Sequence, residues 1–198
     1  MDNFDAEEEG EKIFMEALAK VRIENENAIK DKEWELLWGV RRSVRYHMRR
    51  CRFFDMFHSF SNFVGVFAGT GAAVTFLSGL NPHIAVLSSM IVAAMSSLDL
   101  VVGTGPKARL HNELAKQFVE LEKDMVLAGP IVSEDALKAL EARRLEIEAG
   151  EPPILRTLDR LCYNELAQAM GCRNSYIKIP FWQRWLANFI SFGDPVKV

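Results

Sequence analysis

Charge is missing from one long part of the sequence. Charged residues make up 26% of the 198 residues, yet Asp99 carries the only formal charge between Phe57 and Val102. A helix on the surface of a soluble protein normally carries a polar face along its length. The absence of charge therefore argues against two helices with a water-exposed face in this stretch.

Cysteine is also scarce, and its three positions form no recognisable framework. Cys51, Cys162 and Cys172 have no pair spacing that indicates a disulfide scaffold or a metal site. Disulfides persist mainly in oxidising compartments. We therefore expect reduced thiols in a cytosolic environment.

No arrangement of nucleophile and base is visible, which argues against an enzyme. The four histidines are scattered, and carboxylates at the density seen on the C-terminal helices are typical of a solvated face. Most serines fall inside the apolar stretch. We expect neither catalysis nor a bound cofactor or metal. The histidines are His47, His58, His83 and His111.

Two apolar runs are present instead. The first is Phe57–Leu80 and the second is Ile84–Val102, with only Asn81–His83 between them. Crossing a bilayer takes about 20 mostly apolar residues. The sequence thus predicts an all-α protein in which a two-pass transmembrane hairpin is joined to a cytosolic helical bundle. Because the runs are rich in serine, glycine and alanine, a buried hairpin in a soluble bundle is the alternative.

The charge pattern beside the runs predicts the orientation of the hairpin. Residues 1–40 carry twelve acidic and five basic side chains, whereas the next twelve residues carry six arginines and no acid. Basic residues flanking a spanning helix stay inside, so both termini are expected in the cytoplasm and the protein in the inner membrane. Contact with anionic lipid or nucleic acid is the less favoured interpretation, and no nucleic acid is expected. The arginines are Arg41, Arg42, Arg45, Arg49, Arg50 and Arg52.

Small residues recur every four positions in both runs. In lipid, small side chains at this spacing allow close helix packing. We therefore expect the hairpin to pack against itself and against other copies, as a homo-oligomer in the lipid bilayer. These residues are Gly65, Gly69 and Ala73 in the first run and Ser89, Ala93 and Ser97 in the second.

Asp99 has two interpretations of equal weight. It is either a carboxylate that reaches the interface or a flanking arginine, or it is a pore-lining or gating charge, since ionisable groups in membranes usually face a cavity or a partner. Asn62, His58 and Asp55 are expected at a similar depth near the cytosolic end. Together the four residues predict a polar vestibule.

Three regions follow from these patterns. Residues 1–32 form an acidic helical arm, and 33–128 form a core with transmembrane helices 57–80 and 84–102. Residues 129–198 form cytosolic helices, the first capped by Ser133. In the core, a heptad-like seam typical of coiled-coil packing follows the second run. It comprises Leu110, Leu114, Phe118, Leu121 and Met125.

The chain ends in an aromatic helix predicted over Phe181–Phe192. Its apolar side includes Trp182, Trp185 and Phe189. Burial against the cytosolic bundle is one interpretation. A helix lying in the membrane interface, where tryptophan is favoured, is the other and the slightly preferred one.

The order of these parts resembles the SLATT-domain family of two-transmembrane effectors from prokaryotic conflict systems. The resemblance covers about residues 34–150. It includes the basic helix, the hairpin with its short turn, and the helix ARLHNELAKQFVELEKDM, Ala108–Met125. The later segment IEAGEPPILRTLDRLCYNELA is similar as well.

The resemblance implies a membrane effector of antiviral defence. Copies assemble and permeabilise or depolarise the inner membrane, which stops growth of an infected cell (abortive infection). It also implies a cytosolic sensor or nucleotide-signalling partner, because no sensor domain is fused here. The alternative from the residues alone is a membrane scaffold, without a pore, that recruits a cytosolic partner.

Overall fold

The part of the chain that the structure describes is entirely α-helical. The computed structural model describes residues 2–79, 81–129, 133–172 and 175–192, with side-chain positions for all of these except 2–14 and 77. The predicted all-α class is confirmed. The helices are α1 (Asp2–Leu77), α2 (Pro82–Val102), α3 (Thr104–Ala128), α4 (Glu134–Glu148), α5 (Arg156–Ala169) and α6 (Phe181–Leu186).

Helix α1 runs from the acidic arm into the first apolar run without a break, over 76 residues. The stretch between Val40 and Val64 contains no glycine or proline, so no residue there ends the helix. The prediction of a continuous helix across the arginine cluster is therefore confirmed. The predicted end at Leu80 lies outside the described residues.

Helix α2 has well-defined ends. The Asn81 side chain caps it by accepting a hydrogen bond from the His83 amide at 3.0 Å, and Pro82 occupies the first turn, where its missing N–H costs nothing. Gly103 ends α2 in the left-handed conformation at φ 64°, which glycine adopts without strain. Its N–H donates to the Asp99 carbonyl at 2.9 Å, and α3 begins at the next residue.

The chain divides into two compact units. The first contains Met1–Arg41 and Val119–Gly150, and the second contains Arg42–Phe118 and Glu151–Val198. Helices α1 and α3 therefore each contribute to both units. The division differs from the predicted regions 1–32, 33–128 and 129–198, which follow the chain in order. Residues 130–132, 173–174 and 193–198 of the last region lie outside the described part.

Apolar side chains of α1, α3 and α4 fill the core of the first unit. Leu36, Leu121 and Leu137 are all buried. Ser133 caps α4 as predicted, since its hydroxyl accepts from the Ala136 amide at 3.3 Å. Four of the five positions of the heptad-like seam are buried, two in each unit, and its coiled-coil packing stays a prediction. Leu114, Phe118, Leu121 and Met125 are buried, and Leu110 is exposed.

The second unit has a core centred on Tyr46 and α5. Tyr46 packs with Leu158, Cys162 and Ala187, and its hydroxyl accepts from the Leu155 amide at 3.0 Å. Cys162 is fully buried, and burial raises the pKa of its thiol to about 12. All three cysteines are free thiols.

The C-terminal aromatic helix is shorter than predicted. Helix α6 ends at Leu186, whereas the sequence predicted helix through Phe192. Beyond it, the amides of Phe189 and Ile190 both donate to the Leu186 carbonyl, at 2.9 Å and 3.0 Å, and close the last turn. The Asn188 carbonyl accepts from Arg50 at 2.7 Å, and the Ser191 hydroxyl accepts from the Arg156 amide at 3.3 Å.

One helical stretch of the described residues is long and apolar enough to cross a membrane. It runs over Pro82–Ala128, and its apolar part is α2. The first apolar run continues to Leu80, which lies outside the described residues. The two-pass arrangement stays a prediction.

Candidate functional site

A hairpin polar cluster, defined here as His58, Asn62, Asp99 and Thr104, lies where α1, α2 and α3 meet. The Nδ1 atom of His58 lies 2.9 Å from the Asp99 carboxylate, and the Asn62 amide lies 3.2 Å from His58 Nε2. The Thr104 hydroxyl donates to the other Asp99 oxygen. Both carboxylate oxygens therefore have partners within one chain.

This cluster includes three of the four predicted vestibule residues. Asp55 is not part of it, because its carboxylate accepts from the Cys51 thiol at 3.3 Å on an exposed part of α1. Thr104 was not among the residues predicted from the sequence. Thr104 follows Gly103, whose backbone is left-handed, and its hydroxyl therefore lies over the last turn of α2, where Asp99 accepts its hydrogen bond.

The cluster is a hydrogen-bonded set of one carboxylate, one imidazole, one amide and one hydroxyl. The pair of His58 and Asp99 is an ion pair only when the imidazole is protonated. The Asp99 side chain is 19% exposed and that of His58 is 46% exposed. His58 is therefore the more exposed partner of the pair.

The two arms of the hairpin meet through small and polar side chains. Ser61 and Thr75 are buried, and the Ser61 hydroxyl donates to the Met95 carbonyl of α2 at 3.3 Å. Large apolar side chains lie on the outside, the reverse of a soluble core. They are Phe60, Phe63, Val66, Phe67, Val74, Phe76, Ile84, Val86, Leu87, Met90, Ile91, Leu98, Leu100 and Val101.

The predicted helix-packing residues lie mostly on that outer surface. Gly65 is half-buried, whereas the other five, Gly69, Ala73, Ser89, Ala93 and Ser97, are exposed. A β-carbon added at Gly65 or Gly69 meets no atom within 4 Å. These residues therefore do not form the contact between the arms, and their predicted role in packing against other copies stays a prediction.

The arginine cluster bonds to protein groups. In the first unit, Arg41 pairs with Glu122 at 2.7 Å. In the second unit, Arg42 pairs with Asp159 at 3.2 Å, Arg49 with Glu165 at 2.9 Å, and Arg50 donates to the Asn188 carbonyl. The predicted topological role is untouched by these contacts, but they give the arginines a structural role that the charge count did not indicate. Arg45 also has an interaction partner, and Arg52 is exposed.

A buried histidine pair, defined here as His47 and His111, joins α1 to α3 within the second unit. Their Nδ1 atoms lie 2.9 Å apart, and His47 Nε2 lies 3.0 Å from the Glu151 carboxylate. Phe118 stacks on His47 at 5.7 Å, and Phe54 stacks on His111 at 5.7 Å. Both imidazoles are almost fully buried.

Burial lowers the pKa of His111 to about 4, and electrostatic interactions with His47, Arg50 and Lys107 act in the same direction. His111 is therefore neutral at neutral pH. One proton arrangement satisfies both contacts: His111 Nδ1–H donates to His47, and His47 Nε2–H donates to Glu151. The sequence analysis did not predict this pair, because positions 47 and 111 are 64 residues apart along the chain.

The aromatic residues near the C-terminus are exposed. Trp182, Trp185 and Phe189 are all more than half exposed. Trp182 packs edge-to-face on Phe192 at 5.0 Å, and Phe189 packs on Phe53 of α1 at 5.0 Å. Burial of this face in the bundle is therefore not observed, and its place in a membrane interface stays a prediction.

Comparison with protein-family models, with curated proteins and with solved structures finds no match to this chain. Among the described residues, no group of three or more His, Cys, Asp or Glu side chains is arranged to hold a metal ion. The site is therefore characterised by its own geometry, namely a hydrogen-bonded polar cluster inside a hairpin with an apolar outer surface.

Proposed function

We propose that the chain is a two-pass inner-membrane protein that assembles into oligomers and permeabilises or depolarises the membrane. The observation that carries this proposal is the reversed polarity of the hairpin. No residue of α2 is buried, while its apolar side chains point outward and polar groups pack between the arms. Apolar patches this extensive are rare on soluble monomers, and a bilayer would cover them.

Assembly is supported by the exposed stripe of small residues. Gly65, Gly69 and Ala73 lie along α1 with open space above the two glycines. In lipid, such stripes promote close approach of helices through dispersion and hydrogen bonding. The resemblance to SLATT-domain effectors supports the same role, an abortive-infection response in antiviral defence that a cytosolic sensor or nucleotide signal would trigger.

Membrane potential in growing bacteria tests the proposal. Expression of the chain should place it in the membrane fraction and collapse the signal of a potential-sensitive dye. Gly65→Leu should reduce depolarisation at least about tenfold, because a bulky side chain separates packed helices. Gly71→Leu, on another face of α1 with equal space around it, is the matched control.

Asp99→Asn provides a second test in the same depolarisation assay. It removes the charge of the hairpin polar cluster, and Asp55→Asn removes a carboxylate just outside the apolar run. Only Asp99→Asn should reduce depolarisation. If the wild-type protein inserts and the potential is unchanged with and without infection, the permeabilising function is wrong.

A membrane scaffold that recruits a cytosolic partner is the second candidate. It is favoured by a cavity of about 600 Å³ beside α5 and α6, lined by Arg49, Gln168, Tyr176, Arg184 and Trp185 among others. Its mixture of aromatic and cationic side chains suits a protein or small-molecule partner. A partner that co-purifies with both wild type and Asp99→Asn, in cells whose membrane potential is intact, would favour the scaffold.

A further inference from the structure

A second cavity lies at the boundary between the arginine cluster and the first apolar run. We name it the basic cleft. It has a volume of about 340 Å³. Its apolar walls come from α1, α2 and the segment after α6, and two cations stand beside them. The residues that matter here are Phe53, Phe57, Leu98 and Phe189 in the walls, with Arg50 and Lys107 as the cations.

The two cations lack an anionic partner in the cleft. No carboxylate occurs among the described residues that line it. Arg50 donates through one terminal nitrogen to the Asn188 carbonyl, while its buried Nε has no acceptor in the described part of the chain. The guanidinium lies 4.5 Å from the Phe54 ring centre, and the Lys107 ammonium lies 5.8 Å from the same centre. The two charges are therefore at most about 10 Å apart, and both residues line the same cleft.

Burial lowers the pKa of Arg50 from its usual value. The arginine stays charged at neutral pH, because guanidinium groups lose their proton only in strong base. A half-buried cation with an unused donor is stabilised by an anion that accepts a charge-assisted hydrogen bond. The electrostatics of the cleft therefore call for a negative group.

The position of the cleft indicates which anion is available. Arg50 lies seven residues before Phe57, where the apolar run begins, and Lys107 lies five residues after Val102, where the second run ends. Both cations therefore flank the predicted membrane boundary. At such boundaries, basic pockets between helices bind lipid head groups.

We propose that the basic cleft binds one membrane phospholipid with an anionic head group. Arg50 and Lys107 hold its phosphate, and an acyl chain lies against Phe57 and Leu98. This inference rests on the proposed membrane location. A free phosphate ion would satisfy the two cations but leave the aromatic and aliphatic walls in water, whereas a phospholipid covers both.

Lipid binding to the purified full-length chain tests the proposal. The chain in nonionic detergent is titrated with phosphatidylglycerol or phosphatidylcholine, and bound lipids are counted by native mass spectrometry. One phosphatidylglycerol per chain should bind at least about tenfold more tightly than phosphatidylcholine, as expected for a charge-assisted contact.

Matched variants locate the site. Lys107→Gln, at an exposed position that tolerates substitution, should weaken phosphatidylglycerol binding about tenfold, and Arg50→Gln should do so if circular dichroism shows that it folds. Arg52→Gln, with the same charge change on an exposed position of α1, should leave binding within about twofold. Leu98→Trp should reduce binding by filling the cleft while keeping both charges.

Several outcomes overturn the inference. Equal affinity for phosphatidylglycerol and phosphatidylcholine would show that the cleft does not recognise the head group. A loss of binding in Arg52→Gln as large as that in Lys107→Gln would show only general attraction between charges. Competition by inorganic phosphate at the concentration where phosphatidylglycerol binds identifies a soluble anion as the occupant.

Extraction by alkaline carbonate separates this inference from the proposed function. A chain that stays in the membrane pellet without head-group preference overturns the cleft alone, whereas release into the supernatant overturns the membrane location.

Discussion

Two histidines on one face of α1 have opposite surroundings. His47 and His58 are eleven residues apart, or about three helical turns. His47 is buried between aromatic rings and bonds to His111 and Glu151. His58 is half-exposed and bonds to Asp99, with apolar side chains on the outside of the helix around it.

The comparison shows how one helix is matched to two kinds of surroundings. Around His47, polar groups are enclosed by an apolar core, as in a soluble protein. Around His58, polar groups lie between two helices whose outer surfaces are apolar, as expected in lipid. Substitutions that remove packing should therefore lower the free energy of unfolding strongly at the buried histidine pair and only slightly on the outer surface of the hairpin.

The largest effect is expected from Phe118→Ala. Phe118 is fully buried and stacks on His47, so its truncation should lower the free energy of unfolding by about 3–5 kcal/mol. Leu87→Ala on the exposed side of α2 should change it by less than about 0.5 kcal/mol. Thermal unfolding in detergent measures both. Equal losses would mean that Leu87 is buried by the chain itself and would remove the contrast.

The second effect is a dependence of stability on pH. The folded pKa of His111 is about 4, below the ordinary value of 6.5. Between these two pH values the unfolded state therefore binds a proton at His111 that the folded state does not bind. Stability should be complete above about pH 6.5 and fall by at most about 3 kcal/mol towards pH 4. Denaturant unfolding at several pH values measures this loss.

His111→Phe is the control for that titration. It keeps an aromatic ring against Phe54 and removes the titrating group, so the loss between pH 6.5 and pH 4 should become smaller even if the protein is less stable overall. An unchanged pH profile would assign the titration to other groups, such as the carboxylates.

A smaller effect is expected from Asp99→Asn. The amide keeps hydrogen-bonding capacity towards His58 and Thr104, so the free energy of unfolding in detergent should fall by about 1 kcal/mol. The depolarising activity should fall much more. A loss of stability as large as that of Phe118→Ala would show that the hairpin polar cluster is a folding core and not a functional one.

The smallest effect is expected from Arg49→Gln. The ion pair between Arg49 and Glu165 is substantially exposed on both sides, and exposed pairs contribute about 0–1 kcal/mol. The free energy of unfolding of Arg49→Gln should therefore be within about 0.5 kcal/mol of that of Arg52→Gln. A clearly larger loss, measured by chemical denaturation at low and high salt, would show that the arginine cluster contributes to the core beside the buried histidine pair.

The regular parts of the fold were predictable from local pattern. Ser133 as a cap, Gly103 after the last turn of α2 and the buried positions of the seam follow from rules that act within a few residues. The vestibule was also largely predictable, because His58, Asn62 and Asp99 fall at equal depth once two antiparallel helices are assumed.

The buried histidine pair was not predictable in the same way. His47 and His111 are 64 residues apart, and Glu151 lies beyond a further helix, so only the tertiary fold brings them together. The early end of α6 has a similar cause. Its aromatic pattern fits a helix through Phe192. In the fold, however, the Asn188 carbonyl accepts from the Arg50 side chain and the Ser191 hydroxyl accepts from the Arg156 amide, and both donors are distant in sequence.

Cys162 gives the second unit an internal reporter of opening rates. Alkylating reagents attack the thiolate, and this thiol is fully buried with its pKa raised to about 12. Modification therefore requires the core around α5 to open, so labelling kinetics at Cys162 measure how often that core opens. The partly exposed Cys51 and Cys172 react without such opening and supply an internal reference for reagent access in the same sample.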